Sequence, residues 1–189
     1  MFYKVKAKDH IRFPPEMFKE EVKEGILQEI RKSYEGYTSS TLGLVMDVIE
    51  VFEIGEGIIV PGDGASYYKT EFELITFRPE LHEVVIGKIK DIADFGAFLN
   101  FGPADGMIHV SQTMNDFVSF SKDKVLTGKD TKRLLKVGDV CKAKMIAISF
   151  KDNLPKIGLT MRQVGLGRQE WIDEDLAPKK LKVKKEIKK

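Results

Sequence analysis

The chain has 189 residues, 42% of them apolar and 32% charged, with a formal net charge of +2. That composition belongs to an ordinary globular protein of one medium or two small domains. A single cysteine, Cys141, excludes an internal disulfide framework and a cysteine zinc cluster, and no apolar run is long enough to span a bilayer.

The start, MFYKVKAKDH, has no long apolar stretch, so no signal peptide is expected and the cytoplasm is the default location. The charge is unevenly spread. From Lys179 to Lys189 there are seven lysines and one glutamate, shortly after the acidic stretch EWIDED, so the rest of the chain is net acidic. The basic tail reads as a solvated end, with an auxiliary hold on nucleic acid as the sharper alternative.

The first predicted element is a strand in FYKVKAKDHIRF, with Tyr3, Val5 and Ala7 alternating against Lys4, Lys6 and Lys8. Pro14 and Pro15 end it and can open a helix, because proline is tolerated in a first turn. From Glu16 onward, Phe18, Val22, Ile26 and Ile30 recur every fourth residue with Leu27 beside them, which predicts an amphipathic helix. Acidic residues near its start and Arg31 and Lys32 near its end suit the helix dipole. The period changes after Thr41: TLGLVMDVIEVFEI predicts a strand, Gly55–Gly57 a turn, and GIIVPGDG a short strand running into a tight loop. YYKTEFELITF alternates again, with Tyr68, Phe72 and Leu74 opposite Lys69, Glu71 and Glu73. The first eighty or so residues therefore form an α+β unit.

The second half is mostly strands. EVVIGKIKDIADFGAFLNFG gives two that meet near Ala93–Asp94, GMIHVS a third, VGDVCKAKMIAISF a fourth and PKIGLTMRQ a fifth. Five short strands with glycine-centred bends predict a small closed barrel, since closure removes exposed edges. Gly87 and Gly96 read as sites of sharp bending or close backbone approach.

The run GKIKDIADFGAFLNFGPADGMIHVSQ, followed by LKVGDVCKAKMIAIS and KIGLTMR, resembles the S-one-type RNA-binding OB domain, here interrupted by the insert TMNDFVSFSKDKVLTGKDTKR. Nearly the whole chain, through IRFPPEMF, PGDGASYY, FRPELHEVVIGKI and GPADGMIHVSQ, resembles the E-prime family of archaeal RNA polymerase, counterpart of the seventh-largest component of the eukaryotic enzyme. That resemblance implies a truncated ribonucleoprotein-like α+β domain over residues 1–80, an OB domain of five strands over 81–165, and a charged tail over 166–189. It further implies a non-catalytic stalk component of RNA polymerase that forms a heterodimer with the small helical F subunit, docks on core RNA polymerase and meets the emerging single-stranded transcript. No cofactor, metal or membrane partner is expected.

Single-stranded RNA is held by aromatic stacking and by basic groups along its backbone. Phe95 and Phe98, three positions apart, would face opposite sides of a regular strand, and a bulge at Gly96 would bring them together beside His109. Lys88, Lys90, Lys156 and Arg162 are the candidate phosphate contacts. Phe98 could instead fill the barrel, His109 could be a plain hydrogen-bonded side chain, and each cation could be an ordinary surface residue.

Pro61, Gly62, Asp63 and Gly64 resemble a phosphate loop but lack its Lys-Ser/Thr, so they read as a tight turn; in the polymerase reading they contact the core enzyme. The Asp94–Gly96 triplet matches a kinase motif by chance, since the rest of that signature is missing. His10, His82 and His109 have no metal-ligand spacing, and no nucleophile–base constellation is present. The rival readings are an OB-domain accessory of RNA decay, such as an exosome cap, or of translation initiation, and an RNA enzyme whose OB domain delivers substrate.

Overall fold

The computed structural model describes residues 1–19, 21–121, 123–151 and 154–176. The lysine tail from Lys179 lies outside the described residues.

β1 (Phe2–Phe13) leads through a single 3-10 turn at Pro15–Met17 into α1 (Val22–Tyr34), followed by β2 (Thr38–Ser39), β3 (Gly43–Ile59) and β4 (Ser66–Phe77). The strands form one antiparallel sheet in the order β1-β4-β3-β2. β1 and β4 pair in unbroken register from Phe2↔Phe77 to Phe13↔Ser66, as two cleanly alternating strands should. Thr70, Phe72, Leu74 and Thr76 are buried, whereas Glu71 and Glu73 meet Lys8 and Lys4 at 2.8 and 3.4 Å. Ile26 and Ile30 of α1 are fully buried and join Ile11, Phe13, Val45, Val48, Val51, Phe72 and Leu74 in one core.

Two expectations are corrected in this sheet. The helix begins at Val22 rather than near Glu16. Pro14 is extended, and the chain makes only a 3-10 turn after it. Phe18 therefore leaves the helical stripe and stacks on Phe13, with centroids 5.6 Å apart. The expected turn at Gly55–Gly57 is instead part of β3, which continues to Ile59. There the register slips between Ile54 and Gly57, so the extra residues are absorbed as an irregularity in the ladder. Three earlier shifts, after Val45, Val48 and Val51, explain why the buried valines of β3 recur every third residue instead of every second.

The second half supplies β5 (Val84–Ala93), β6 (Gly96–Asn100), β7 (Asp105–His109) and the short α2 (Val110–Thr113). The insert follows with β8 (Val118–Ser121), β9 (Val125–Gly128) and β10 (Leu134–Lys136), then β11 (Val140–Lys151), β12 (Leu154–Thr160), β13 (Gly167–Arg168) and α3 (Gln169–Leu176). The order β12-β7-β6-β5-β11, with β12 also paired to β11, closes a five-stranded barrel, and β13 extends it from β11. Ile89, Leu99, Ile108, Ala143 and Leu159 are buried side chains of its strands. Cys141 is buried with them, and burial above all pushes its thiol up to about 12, leaving it an inert core group.

The insert has a sheet of its own, β10-β9-β8, around the fully buried Leu126 and Leu135. Residues 167–176, expected as part of the charged tail, form β13 and α3 instead. Arg168 and Gly167 pair with Cys141 and Lys142, and α3 buries Trp171 and Ile172. The acidic run is held because Arg133 reaches Asp175 at 2.6 Å and lies over the Trp171 ring at 5.7 Å.

By compactness the chain divides into Met1–Glu83 with Gly102–Gly106 and Met145–Gly158, and Val84–Phe101 with Met107–Lys144 and the described residues from Leu159 on. Among the described residues no helix is long and apolar enough to cross a membrane.

Candidate nucleic-acid interface

The hairpin joining β5 to β6 is closed by two residues, Asp94 and Phe95, with Ala93 opposite Gly96. Asp94 accepts the Phe95 N–H through its side chain at 2.9 Å, a local bond that holds the turn. Phe95 is thus a turn residue, about half exposed, and Phe98 is a half-buried residue of β6. Their rings meet edge to face, with centroids 6.0 Å apart. The expected bulge at Gly96 is not what joins them. The aromatic pair comes together because the first ring is carried by the turn, and the register shift lies on β5 between Ile89 and Asp91.

Gly96 has another role. A Cβ there would run into the Ile108 carbonyl and lie 3.1 Å from the His109 Cα. The missing side chain lets β7 press against the start of β6, and the Val110 N–H donates to the Phe95 carbonyl at 2.9 Å. The close approach sets His109 beside the aromatic pair. His109 is exposed and caps α2: its Nδ1 accepts from the Ser111 N–H at 3.3 Å and lies 2.9 Å from the Ser111 hydroxyl. With Nδ1 accepting, the proton of the neutral ring sits on Nε2.

The shift on β5 places Lys90 and Asp91 across from Phe98, while Lys88 stands opposite Asn100. Lys88 and Lys90 are exposed. Asp91 is bridged to Lys124 of the β8–β9 hairpin at 2.7 Å, and that bond, helped by the Ile92 N–H, holds its carboxyl below the usual carboxylate range. Five expected residues, Lys88, Lys90, Phe95, Phe98 and His109, therefore share one region of β5, β6 and β7.

Arg162, just beyond β12, donates from Nε to Asn115 at 3.1 Å. It lines a cavity of about 500 Å³ together with Val110, Ser111, Asn115, Asp116, Phe117, Val118 and Asp130. Ser111 connects that cavity to His109. Lys156 is exposed on β12, the strand next to β7, and falls in the first compact unit. Phe117, 78% exposed, is a residue that the sequence pattern did not single out. The alternation in DFVSFS was the available signal, hidden because the insert has no counterpart in a minimal OB domain.

Pro61–Gly64 is a tight turn between β3 and β4, with Gly62 and Gly64 at φ of 99° and 70°. Arg12 binds the Asp63 carboxylate through two contacts of 2.7 and 3.0 Å, and the Tyr67 hydroxyl donates to it at 2.6 Å. The Arg12 bonds, then that of Tyr67, lower the Asp63 carboxyl to about 2. Among the described residues no group of three His, Cys, Asp or Glu is placed to hold a metal.

Comparison with known proteins gives two family matches. Residues 8–64 match the SHS2 domain found in the N terminus of Rpb7p/Rpc25p/MJ0397, and residues 78–153 match the S1 RNA binding domain. DNA-directed RNA polymerase subunit Rpo7 of Sulfolobus acidocaldarius is 35% identical over 94% of this chain and 98% of its own length. The Rpo7 protein of Saccharolobus solfataricus is 37% identical over 92% and 98%. DNA-directed RNA polymerase III subunit rpc8 of Schizosaccharomyces pombe is 41% identical over 51% of this chain and 47% of its own.

Proposed function

The chain belongs to the Rpo7 family of DNA-directed RNA polymerase subunits, and from that premise we propose that it is a non-catalytic stalk component that holds emerging single-stranded RNA on its barrel. The observation that carries the RNA part is the assembly of Phe95, Phe98 and His109, with Lys88 and Lys90 on the same strands. Two aromatic faces offer stacking to unpaired bases, and the ammonium groups meet phosphates. Nε2–H of His109 adds a donor at the edge of the pair.

In this reading the small helical F subunit of the polymerase covers apolar surface on β5 and β11, where Val84, Ile86 and Val140 are 52%, 60% and 59% exposed. Exposed apolar side chains on paired strands suit a partner site, with Lys142 and Lys144 across from Ile86 and Val84 as its polar members. The turn Pro61–Gly64 docks on the core enzyme, supported by exposed Ile58, Ile59 and Val60 leading into it. The site of action is the cytoplasm. The rival roles in RNA decay or translation lose support from the first half of the chain, whose match is to a polymerase-type domain.

The test combines assembly and RNA binding. The chain, co-expressed with the small helical partner, should copurify with it and with core polymerase. Phe95→Ala and His109→Ala should weaken binding of a uridine oligomer about five- to hundredfold at unchanged melting temperature. Normal RNA binding by both variants, or early melting of both, sinks the platform; failure to assemble with the polymerase sinks the stalk role.

A further inference from the structure

The cavity beside the platform has features that RNA-backbone binding does not explain. Phe117 stands at its wall as the most exposed large apolar side chain among the described residues, at 78%. Its backbone is nonetheless fixed. The Phe117 N–H donates to Asp116 Oδ1 at 2.6 Å, and its carbonyl accepts from the Lys129 N–H at 2.8 Å. Asp116 Oδ2 takes three further bonds of 2.9–3.0 Å, from the Asp130 N–H and from the Thr131 N–H and hydroxyl. The Asp116 carboxylate is thus fully engaged in bracing the loop, and those bonds, led by that from the Thr131 N–H, hold its carboxyl below the usual range. An aromatic ring kept in water on a rigid backbone has only its own side-chain rotamer left to order when it stacks.

The remaining charged groups of the wall are Asp130 and Arg162. Arg162 uses one of its five N–H donors on Asn115, leaving the others for a ligand. The Asp130 carboxylate accepts no hydrogen bond among the described residues. A carboxylate on the wall repels a phosphate, so the occupant is a base rather than the RNA backbone. Among the bases, guanine matches both groups. Its O6 and N7 accept from an arginine fork, and its N1–H and N2–H donors are adjacent and suit one carboxylate. Uracil has a single ring N–H between two carbonyls. A volume of about 500 Å³ lies within the range of small-ligand sites.

We propose that this cavity is a base subsite that takes an unpaired guanine from the bound RNA, stacked on Phe117 and read by Asp130 and Arg162. The proposal rests on the RNA-binding reading of the neighbouring platform, to which Ser111 joins it through His109. It gives the insert a task, since Phe117 and Asp130 both belong to it.

The test measures binding of the full chain to a uridine oligomer and to the same oligomer with guanosine at every fourth position. The wild type should bind the guanosine-containing RNA about fivefold or more tightly. Asp130→Asn should abolish that preference while leaving the uridine oligomer unaffected, because the Asp130 backbone N–H that braces the loop is retained. Phe117→Ala should also abolish it, with melting temperature checked to show that the fold persists. An equal affinity of the wild type for both RNAs, or a preference that survives both substitutions, overturns the proposal. If Phe95→Ala weakens both RNAs but neither is preferred, only the guanine subsite falls. If the wild type binds neither RNA, the platform falls with it.

Discussion

The four-stranded sheet and the barrel are built from similar alternating strands, yet they dispose of their outward charges differently. On the sheet, lysines of β1 face glutamates of β4, with ion pairs Lys4–Glu73 and Lys8–Glu71, and Lys6 lies over the Phe52 ring at 4.7 Å. Cations there are neutralised within the ladder or screened by an aromatic face. On β5 and β6 of the barrel the outward row includes Lys88 and Phe98, with Phe95 at the turn. Asn100 rather than a carboxylate stands across from Lys88, and the nearby acid, Asp91, is bridged to the insert. The difference teaches that the count of lysines does not identify an anion-binding surface. What matters is the residue type across the ladder, because a cation facing a carboxylate offers less to a phosphate than one facing an amide or a ring.

The largest effect should separate the two regions outright. Phe72 is fully buried in the core of the four-stranded sheet, and Phe72→Ala should cost about 3–5 kcal/mol of folding stability by chemical denaturation. RNA affinity measured at low temperature, where the variant remains folded, should be unchanged. A parallel loss of RNA affinity there would break the assignment of binding to the barrel.

Gly96→Ala should come next, at about 1–3 kcal/mol, since its Cβ has only the Ile108 backbone to move into. Unlike Phe95→Ala, it should lower stability and RNA affinity together, because it displaces β7 and with it His109. If Gly96→Ala is neutral by thermal denaturation, the close approach of β6 and β7 is not the constraint that positions the site.

A smaller loss, about 1–2 kcal/mol, is expected for Arg133→Ala, which removes the charge-assisted bond to Asp175 at 2.6 Å. Amide exchange should accelerate in α3 but not in α1. Uniform acceleration would mean that α3 is not a local appendage of the insert.

The smallest effect concerns the Pro61–Gly64 turn and is a matter of pH. The Asp63 carboxyl is depressed to about 2, chiefly by Arg12. A carboxyl with a lowered folded value stabilises above its unfolded value, near 3.9. The contribution is therefore complete above about pH 4 and disappears as pH falls through the folded value. Arg12→Ala should raise the Asp63 midpoint, read by NMR titration, toward that ordinary value. An unmoved midpoint would assign the depression to Tyr67 instead.

Much of this molecule was legible in local pattern. The alternation of Phe72 and Leu74 against Glu71 and Glu73 and the meeting of β5 and β6 near Ala93–Asp94 follow from period and residue type. Residue order also sufficed to nominate Phe95, Phe98 and His109 as a group. The helix start at Val22, the unbroken β3 and the ordered 167–176 segment did not follow. In each case a distant partner overrides the local signal: Phe13 draws Phe18 out of the helical stripe, β4 holds β3 through Gly57, and Arg133 with β11 gathers the acidic segment.

By itself the sequence determined the alternation and burial of β4 and the grouping of aromatic, basic and histidine side chains on β5–β7, because side-chain period and polarity act over a few residues. Only the tertiary structure decided that a turn rather than a bulge joins the two rings. It also decided that Lys156 falls in the first compact unit, and that Arg162 shares a cavity with Phe117 of the insert. Those outcomes depend on strand register, barrel closure and backbone approach between residues remote in the chain, and no local period encodes them.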